Sequence, residues 1–153
     1  MTKASRSKQE MTTEFTREIT KVNLALKQYL QAKFRLHDID LTFEMLQVMA
    51  CLWKQDGINQ QEVSNITVKD KASMTYLIDN LTARKLVYRL EDEKDRRNKL
   101  IFLTEKGKDM EQQIQPWITE MYAVVNKNVT ADQLGVCIRV LGNMSENLRK
   151  AAD

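Results

Sequence analysis

The segment from Val68 to Gly107, VKDKASMTYLIDNLTARKLVYRLEDEKDRRNKLIFLTEKG, decides the fold of this 153-residue chain. It holds an apolar helical pattern, then two short runs of branched and aromatic residues with a charged turn between them. The helical pattern rests on residues spaced at i, i+3, i+4 and i+7, which are Met74, Leu77, Ile78 and Leu81. We therefore predict an amphipathic helix, with Asp70 as its N-cap, followed at once by a β-ribbon.

The β-ribbon, called the wing below, is predicted from residues 86–90 and 99–103, whose side chains favour strands. A helix followed directly by such a ribbon is the layout of a winged helix-turn-helix. The turn over residues 91–98 is long and charged, and its cations suit phosphates or a narrow minor groove as well as plain solvent. Asp95 lies two residues before Arg97, so we expect the two side chains to form a charge-assisted pair that directs the arginine.

The chain before this segment is predicted to begin with a polar arm and two helices. Residues 1–11 are polar and predict a disordered arm, and residues 12–36 carry an apolar stripe close to a 3.5-residue repeat. Thr42 is a good N-cap for a second helix that ends near Gln55.

A short third helix completes the helix-turn-helix. Asn59 and Glu62 form the sequence of a capping box at its start, and Val63 and Ile66 are expected to face the core. The winged module is therefore assigned to residues 42–104.

The C-terminal part, residues 105–150, is predicted to form two further helices. Thr104 caps the first, which contains Pro116, and Thr130 with Gln133 forms a capping box for the second. The helices that flank the module carry apolar stripes that a lone winged module does not need. We therefore expect residues 12–36 and 105–150 to pack on the same helices of a second copy, and the chain to form one structural domain overall.

The segment resembles the core of the MarR family (multiple antibiotic resistance regulators). The resemblance is carried by residues 75–81 in the helix, Leu86-Val87 and Arg89, Asp95-Arg96-Arg97 in the wing, and Leu103-Thr104-Glu105-Lys106-Gly107 after it. A D-x-R sequence followed at this distance by LTEKG is a specific combination, and the helix order extends the resemblance over nearly the whole chain. It implies a mostly α (α+β) winged helix-turn-helix with a two-stranded wing, flanked by long N- and C-terminal dimerisation helices.

The resemblance also implies a function and a set of contacts. The chain is expected to be a homodimeric repressor that binds double-stranded DNA at a palindromic operator, with two recognition helices about 34 Å apart. The recognition-helix residues expected at the major groove are Lys71, Ser73, Thr75 and Tyr76. The wing contacts are expected from Asp95, Arg96, Arg97 and Lys99, and the further phosphate contacts from Gln60 and Lys69.

Two residues depart from the pattern of the family. Lys85 stands where the family usually has glycine after the recognition helix, so the helix is expected to end differently or with mild strain. Tyr76 stands where many members have arginine, which puts the base preference and the strength of binding in question.

Composition excludes several other classes of protein. The net charge of +3 is mild, and the single histidine and two cysteines show no zinc spacing, so neither a metal nor another cofactor is predicted. We find no phosphate-binding loop and no nucleophile–base pattern, and an enzyme is not expected. With no run of 18 apolar residues and no apolar signal-peptide core, the chain is expected to be cytoplasmic, without membrane contact.

The resemblance also implies that a small-molecule ligand releases the protein from its operator. Members of the family bind small aromatic or lipophilic ligands between the dimerisation helices and the winged module. The candidate lining here is Tyr29, Phe34, Met45, Met49 and Trp53, for which plain core packing is the alternative. Two other functions stay open: a winged-helix module that binds proteins instead of DNA, and a thiol-based redox sensor that uses Cys51 or Cys137.

Overall fold

The computed structural model describes residues 6–153 and contains six helices and three short strands in that range. In chain order they are α1 (Lys8–Leu36), α2 (Phe43–Lys54), β1 (Ile58–Asn59), α3 (Gln60–Thr67), α4 (Lys71–Ala83), β2 (Val87–Glu91), β3 (Lys99–Leu103), α5 (Glu105–Val125) and α6 (Ala131–Ala152). The architecture is a mostly helical winged helix-turn-helix, as predicted. The chain divides into two compact units, one ending at Ile118 and the other spanning Thr119–Asp153, a division that the sequence did not indicate.

The first helix begins earlier than predicted. Ser7 caps it, with its hydroxyl accepting a hydrogen bond from the Glu10 main-chain N–H and the Glu10 carboxylate accepting one from the Ser7 N–H. This capping box satisfies two otherwise unpaired donors. The arm proposed for residues 1–11 is therefore corrected over residues 8–11, which are helical. Residues 1–5 lie outside the described part of the chain.

Three N-caps that the sequence did predict are confirmed. Thr42 accepts from the Met45 N–H at 3.1 Å, and Asn59 and Thr130 each form a complete capping box. These contacts are local in sequence, which is why the pattern of capping residues locates the helix starts so closely.

The sheet has one strand more than the predicted two-stranded wing. Ile58 and Asn59 form β1, which pairs antiparallel with β3 through Ile101 and Leu100, so that the strand order is β1-β3-β2. A strand of two residues is too short to show an alternating sequence pattern. It forms because it pairs with a segment some forty residues away.

The core of the winged module lies beneath α4. Met74, Leu77, Ile78 and Leu81 are all buried, which confirms the predicted apolar face. Val63 is also buried, but the expectation for Ile66 was wrong, because its side chain is 61% exposed. Ile66 lies in the last turn of α3, two residues before Val68. Val68 is the C-cap of α3 and has a positive φ of 54°.

Lys85, the second residue after the end of α4, has the left-handed backbone conformation that usually favours glycine. Lys85 has φ 59°, and its N–H donates to the Thr82 carbonyl while the Leu86 N–H donates to the Leu81 carbonyl. These two bonds form a Schellman motif, in which a residue without a side chain is favoured at the position of Lys85. The helix thus ends as in a glycine-capped one, with the strain of a lysine in the left-handed region.

The second unit contains the end of α5 and the whole of α6. Helix α5 continues through Pro116 to Val125. None of the α6 residues is buried, and large apolar side chains on it are exposed, among them Leu134, Val136, Ile138, Val140 and Leu148. Within residues 6–153, no helix has both the length and the apolar character needed to cross a bilayer.

Candidate nucleic-acid interface

Three elements of the winged module meet at one polar cleft, called the basic cleft below. It has a volume of about 380 Å³ and is lined by Asn59, Gln60, Gln61, Ser64, Lys71, Arg97, Asn98 and Lys99. Four of these residues were predicted from sequence as DNA contacts: Gln60, Lys71, Arg97 and Lys99. The fold therefore brings the start of α3, the start of α4 and the turn end of the wing to one place.

A hydrogen bond joins the two helices at this cleft. The Gln60 side-chain amide donates to the Thr75 hydroxyl at 2.9 Å, and that hydroxyl donates in turn to the Lys71 carbonyl at 3.0 Å. Gln60 is thus held against α4, and the hydroxyl of Thr75 is used inside the protein. The pair fixes the spacing between the first turns of α3 and α4.

The first turn of α4 is held by Asp70. Its carboxylate accepts from the Ser73 N–H at 2.8 Å and from the Ser73 hydroxyl at 3.0 Å. The main-chain hydrogen bond from Ser73, followed by the side-chain one, keeps the pKa of Asp70 below its ordinary value. A negative charge at this position also interacts favourably with the positive end of the helix dipole.

A second cleft of about 520 Å³ also borders the first turns of α4. Its lining consists of Thr42, Glu44, Met45, Lys69, Ala72, Ser73, Tyr76 and Leu77. Three predicted DNA contacts, Lys69, Ser73 and Tyr76, border this cleft instead of the basic cleft. The Tyr76 side chain is 66% exposed, which makes it the most exposed large apolar residue of α4.

Two ion pairs fix the wing. Lys99 is paired with Glu91 at 2.8 Å, directly across the β2–β3 ladder, so a cation of the basic cleft already has a partner. The hydrogen bond and the charge of Lys99 lower the pKa of Glu91 from its ordinary value. Arg89 reaches from β2 to Asp79 on α4 at 2.7 Å, which ties the wing to the recognition helix.

The wing tip is built by main-chain contacts of its aspartates. The Asp95 carboxylate accepts from the Arg97 main-chain N–H at 3.0 Å, and the Asp95 carbonyl accepts from the Asn98 N–H at 2.9 Å. The expected charge pair between Asp95 and the Arg97 side chain is therefore corrected: Asp95 shapes the backbone of the turn. Arg96 and Arg97 are both exposed at this tip.

Comparison with known proteins agrees with this geometry. Residues 41–99 match the MarR family model, a range that runs from the start of α2 to the first residue of β3. A MarR transcriptional regulator from Methanosarcina mazei Go1 superposes with a TM-score of 0.74 at 27% identity, over 91% of this chain and 99% of that one. Over residues 41–99 and in its fold, the chain is similar to the MarR family.

Two further relatives extend the comparison. The HTH-type transcriptional regulator TtmR of Methylorubrum extorquens is 32% identical over 46% of this chain and 36% of its own length. The S. aureus MepR-DNA complex shares the fold, with a TM-score of 0.75 at 22% identity over 87% of this chain and 97% of that one. The alignments with three curated relatives cover between 36% and 62% of those proteins' lengths, and all three are named as transcriptional regulators, not enzymes.

The residues predicted to line a ligand pocket lie mainly in the core. Phe34, Met45 and Met49 are at most 3% exposed, whereas Tyr29 and Trp53 are half-buried. Met45 also borders the second cleft, and the Trp53 indole N–H donates to the Gly107 carbonyl at 2.9 Å.

The cysteines and the histidine occupy unrelated positions. Cys51 is half-buried in α2, and burial raises the pKa of its thiol, which disfavours the reactive thiolate. Cys137 is exposed on α6. His37 stacks on Trp117 with ring centroids 4.5 Å apart. Over the described range 6–153, no group of three or more His, Cys, Asp or Glu residues is arranged to hold a metal ion.

Sequence reasoning missed several residues that line the clefts. Ser64, buried beneath the basic cleft, and Asn98, beside Arg97, carry no motif that would have selected them. Ala72 on the second cleft was also missed, although its position on the exposed face of α4 follows from the apolar pattern of the same helix.

Proposed function

We propose that this chain is a DNA-binding transcriptional regulator of the MarR family. The observation that carries the proposal is the basic cleft, where side chains from α3, α4 and the wing surround one space. In winged helix-turn-helix proteins, the N-terminal part of the recognition helix reads the major groove while neighbouring elements hold the backbone. Lys71 and Arg97 both line the cleft, and their positive charges suit phosphates that border a groove. The solved complex of MepR with DNA, which shares the fold, supports the same mode of binding.

The proposed contacts divide into three groups. Tyr76, Thr75 and Ser73 enter the major groove from α4. Arg96 and Arg97 enter or border the minor groove from the wing tip, which Asp95 shapes. Gln60, Lys69, Lys71 and Lys99 hold phosphates, and Lys99 does so by leaving or sharing Glu91. Lys71, which the sequence placed at the major groove, joins this group because it lines the basic cleft with Arg97 and Lys99.

We propose further that the protein works as a homodimer on a palindromic operator. The support is the exposed apolar surface of the flanking helices: Val22 and Leu24 of α1 are about half exposed, and Ile138 and Leu148 of α6 more so. Such surfaces are stabilised when a second copy covers them. A two-fold dimer would present two recognition helices to successive major grooves.

Repression and ligand release complete the proposal. A dimer that covers an operator blocks access of other proteins to it, which supports repression more simply than activation. A small aromatic or lipophilic ligand near Tyr29, Phe34, Met45, Met49 and Trp53 would alter the packing beneath the module and so the spacing of the recognition helices.

The experiment that tests DNA binding begins with selection from a pool of random-sequence duplexes. We expect an enriched, palindromic sequence whose affinity falls linearly with the logarithm of salt concentration. The chain should bind it at least about a thousandfold more tightly than unrelated DNA. Failure to enrich any sequence, with no salt-dependent binding, would contradict the proposal and favour a protein-binding role for the winged module.

Repression and release need separate measurements. A reporter gene placed behind the selected sequence should be silenced when the chain is expressed, and activation would contradict the repressor assignment. Sedimentation of the purified protein should give a dimer, and a change of Ile138→Asp should shift it to a monomer. A monomeric wild-type protein would contradict the dimer assignment while leaving DNA binding open to its own test.

A further inference from the structure

The exposed face of α4 has an unusual balance of polar and apolar groups. Three of its polar side chains already have partners within the protein. Ser73 donates to Asp70, Thr75 donates to the Lys71 carbonyl, and Asp79 is paired with Arg89. A side chain that reads a base edge by hydrogen bonds needs a donor or acceptor to spare. These three residues therefore contribute less hydrogen-bonding capacity to a groove than their types suggest.

An exposed stripe of apolar groups runs along the same face. Ala72, Thr75 and Tyr76 are spaced at i, i+3 and i+4, so they are neighbours on the helix surface, and all three are exposed. Ala72 offers only its methyl group. The Thr75 hydroxyl is bonded to the main chain and to Gln60, which leaves its methyl group for other contacts. Tyr76 adds an aromatic ring that is 66% exposed.

We propose that this stripe makes the protein a reader of thymine methyl groups in the major groove. Thymine is the base that carries a methyl group at that edge, and alanine, threonine and aromatic side chains make apolar contact with it. Guanine is usually read by arginine or lysine, and adenine by asparagine or glutamine. The stripe contains none of these four residue types. The inference rests on the proposed DNA-binding function and specifies the base that α4 selects.

The test replaces thymine by deoxyuridine, one position at a time, in the duplex obtained by selection. This change removes the methyl group and keeps the base-pairing edge. At one or more positions in each half-site, we expect wild-type binding to weaken about fourfold, the value of one buried methyl group. Changes at the remaining thymines, which serve as internal controls, should leave the affinity unchanged.

Two variants separate the ring of Tyr76 from its hydroxyl. Tyr76→Ala should abolish the preference for thymine over uracil at its position, whereas Tyr76→Phe should keep it. Arg97→Ala, which removes a cation of the basic cleft, should weaken binding to thymine and uracil duplexes alike. This control distinguishes loss of methyl recognition from loss of overall affinity.

Each result has a distinct meaning. Equal binding of thymine and uracil duplexes by the wild-type protein at all positions would overturn the inference and leave the proposed function intact. Loss of the preference in Tyr76→Phe as well as in Tyr76→Ala would show that the hydroxyl reads the base, which also overturns it. Absence of binding to any duplex would overturn the proposed function itself.

Discussion

Gly107 lies directly against the carbonyl oxygen of Leu86. A Cβ atom at Gly107 would come within 2.2 Å of that oxygen, well inside any allowed contact. The same carbonyl accepts the Thr104 main-chain N–H at 3.0 Å, and the Thr104 hydroxyl accepts from the Gly107 N–H at 3.0 Å. The end of α4 and the start of α5 are thus joined through main-chain atoms. This contact gives the Leu103–Gly107 motif a physical cause, since only a residue without Cβ allows the approach.

The close approach predicts a large cost for Gly107→Ala. Because the obstacle is main chain, the helix must shift, and we expect a loss of about 1–3 kcal/mol in the free energy of unfolding. Urea denaturation would measure it. Gly142→Ala in α6 is the matched control, as a Cβ there meets nothing within 4 Å. That variant should gain about 0.5–1 kcal/mol. Equal effects of the two changes would show that the contact at Leu86 is not restrictive.

Lys85 follows α4 with a left-handed backbone, so a change to glycine at this position should stabilise the protein. Lys85→Gly should raise the free energy of unfolding by about 0.5–1 kcal/mol, because glycine removes the strain of a Cβ at φ 59° but adds freedom to the unfolded chain. Ala83→Gly, two residues earlier and inside the helix, should lower it by a similar amount. Denaturation curves for both variants give the comparison. A loss in both would mean that Lys85 is stabilised by contacts that outweigh its strain.

The wing tip predicts that a neutral acceptor can replace Asp95. Asp95→Asn keeps a carbonyl oxygen for the Arg97 N–H, so its DNA affinity should remain close to that of the wild type. Asp95→Ala removes the acceptor and should weaken binding about fivefold, with little change in global stability. Fluorescence anisotropy with the selected duplex would measure both. If both variants weaken binding equally, the charge of Asp95 is what matters, and its role in shaping the backbone is contradicted.

The pairing of Lys99 with Glu91 predicts that the carboxylate opposes DNA binding. Glu91→Gln should free the Lys99 ammonium for a phosphate, tighten binding, and steepen the salt dependence by about one unit of slope. Glu93→Gln removes the same charge from the exposed turn and is the control. Titrations over a series of salt concentrations would separate the two. Equal effects would indicate a general change in net charge, without a specific release of Lys99.

The sequence predicted those parts of the fold that depend on near neighbours. The apolar face of α4 and the caps at Thr42, Asn59 and Thr130 rest on contacts within one or two helical turns, and all were confirmed. The early start of α1 was predictable too, since Ser7 and Glu10 have the spacing of a capping box. The polar composition of residues 1–11 favours a disordered arm and so conceals that signal.

The parts that sequence reasoning missed depend on the tertiary arrangement. Strand β1 forms because Ile58 meets Ile101, a pairing that no local pattern contains. Ile66 was expected in the core, but it lies in the last turn of α3 with its side chain exposed. For the site, the residue types were predictable, whereas their partners were not. The ion pair of Lys99 with Glu91 and the hydrogen bond of Gln60 with Thr75 each join two separate elements, so they depend on the fold.

The most direct measurement of the central claim is the salt dependence of DNA binding by three variants. Lys71→Ala and Arg97→Ala each remove a cation of the basic cleft, and Arg149→Ala removes one from α6, where it pairs with Glu146. We predict that Arg97→Ala costs about 1–3 kcal/mol of binding free energy, that Lys71→Ala lowers the salt slope by about one, and that Arg149→Ala changes neither. If all three variants bind the selected duplex alike, the basic cleft does not contact DNA.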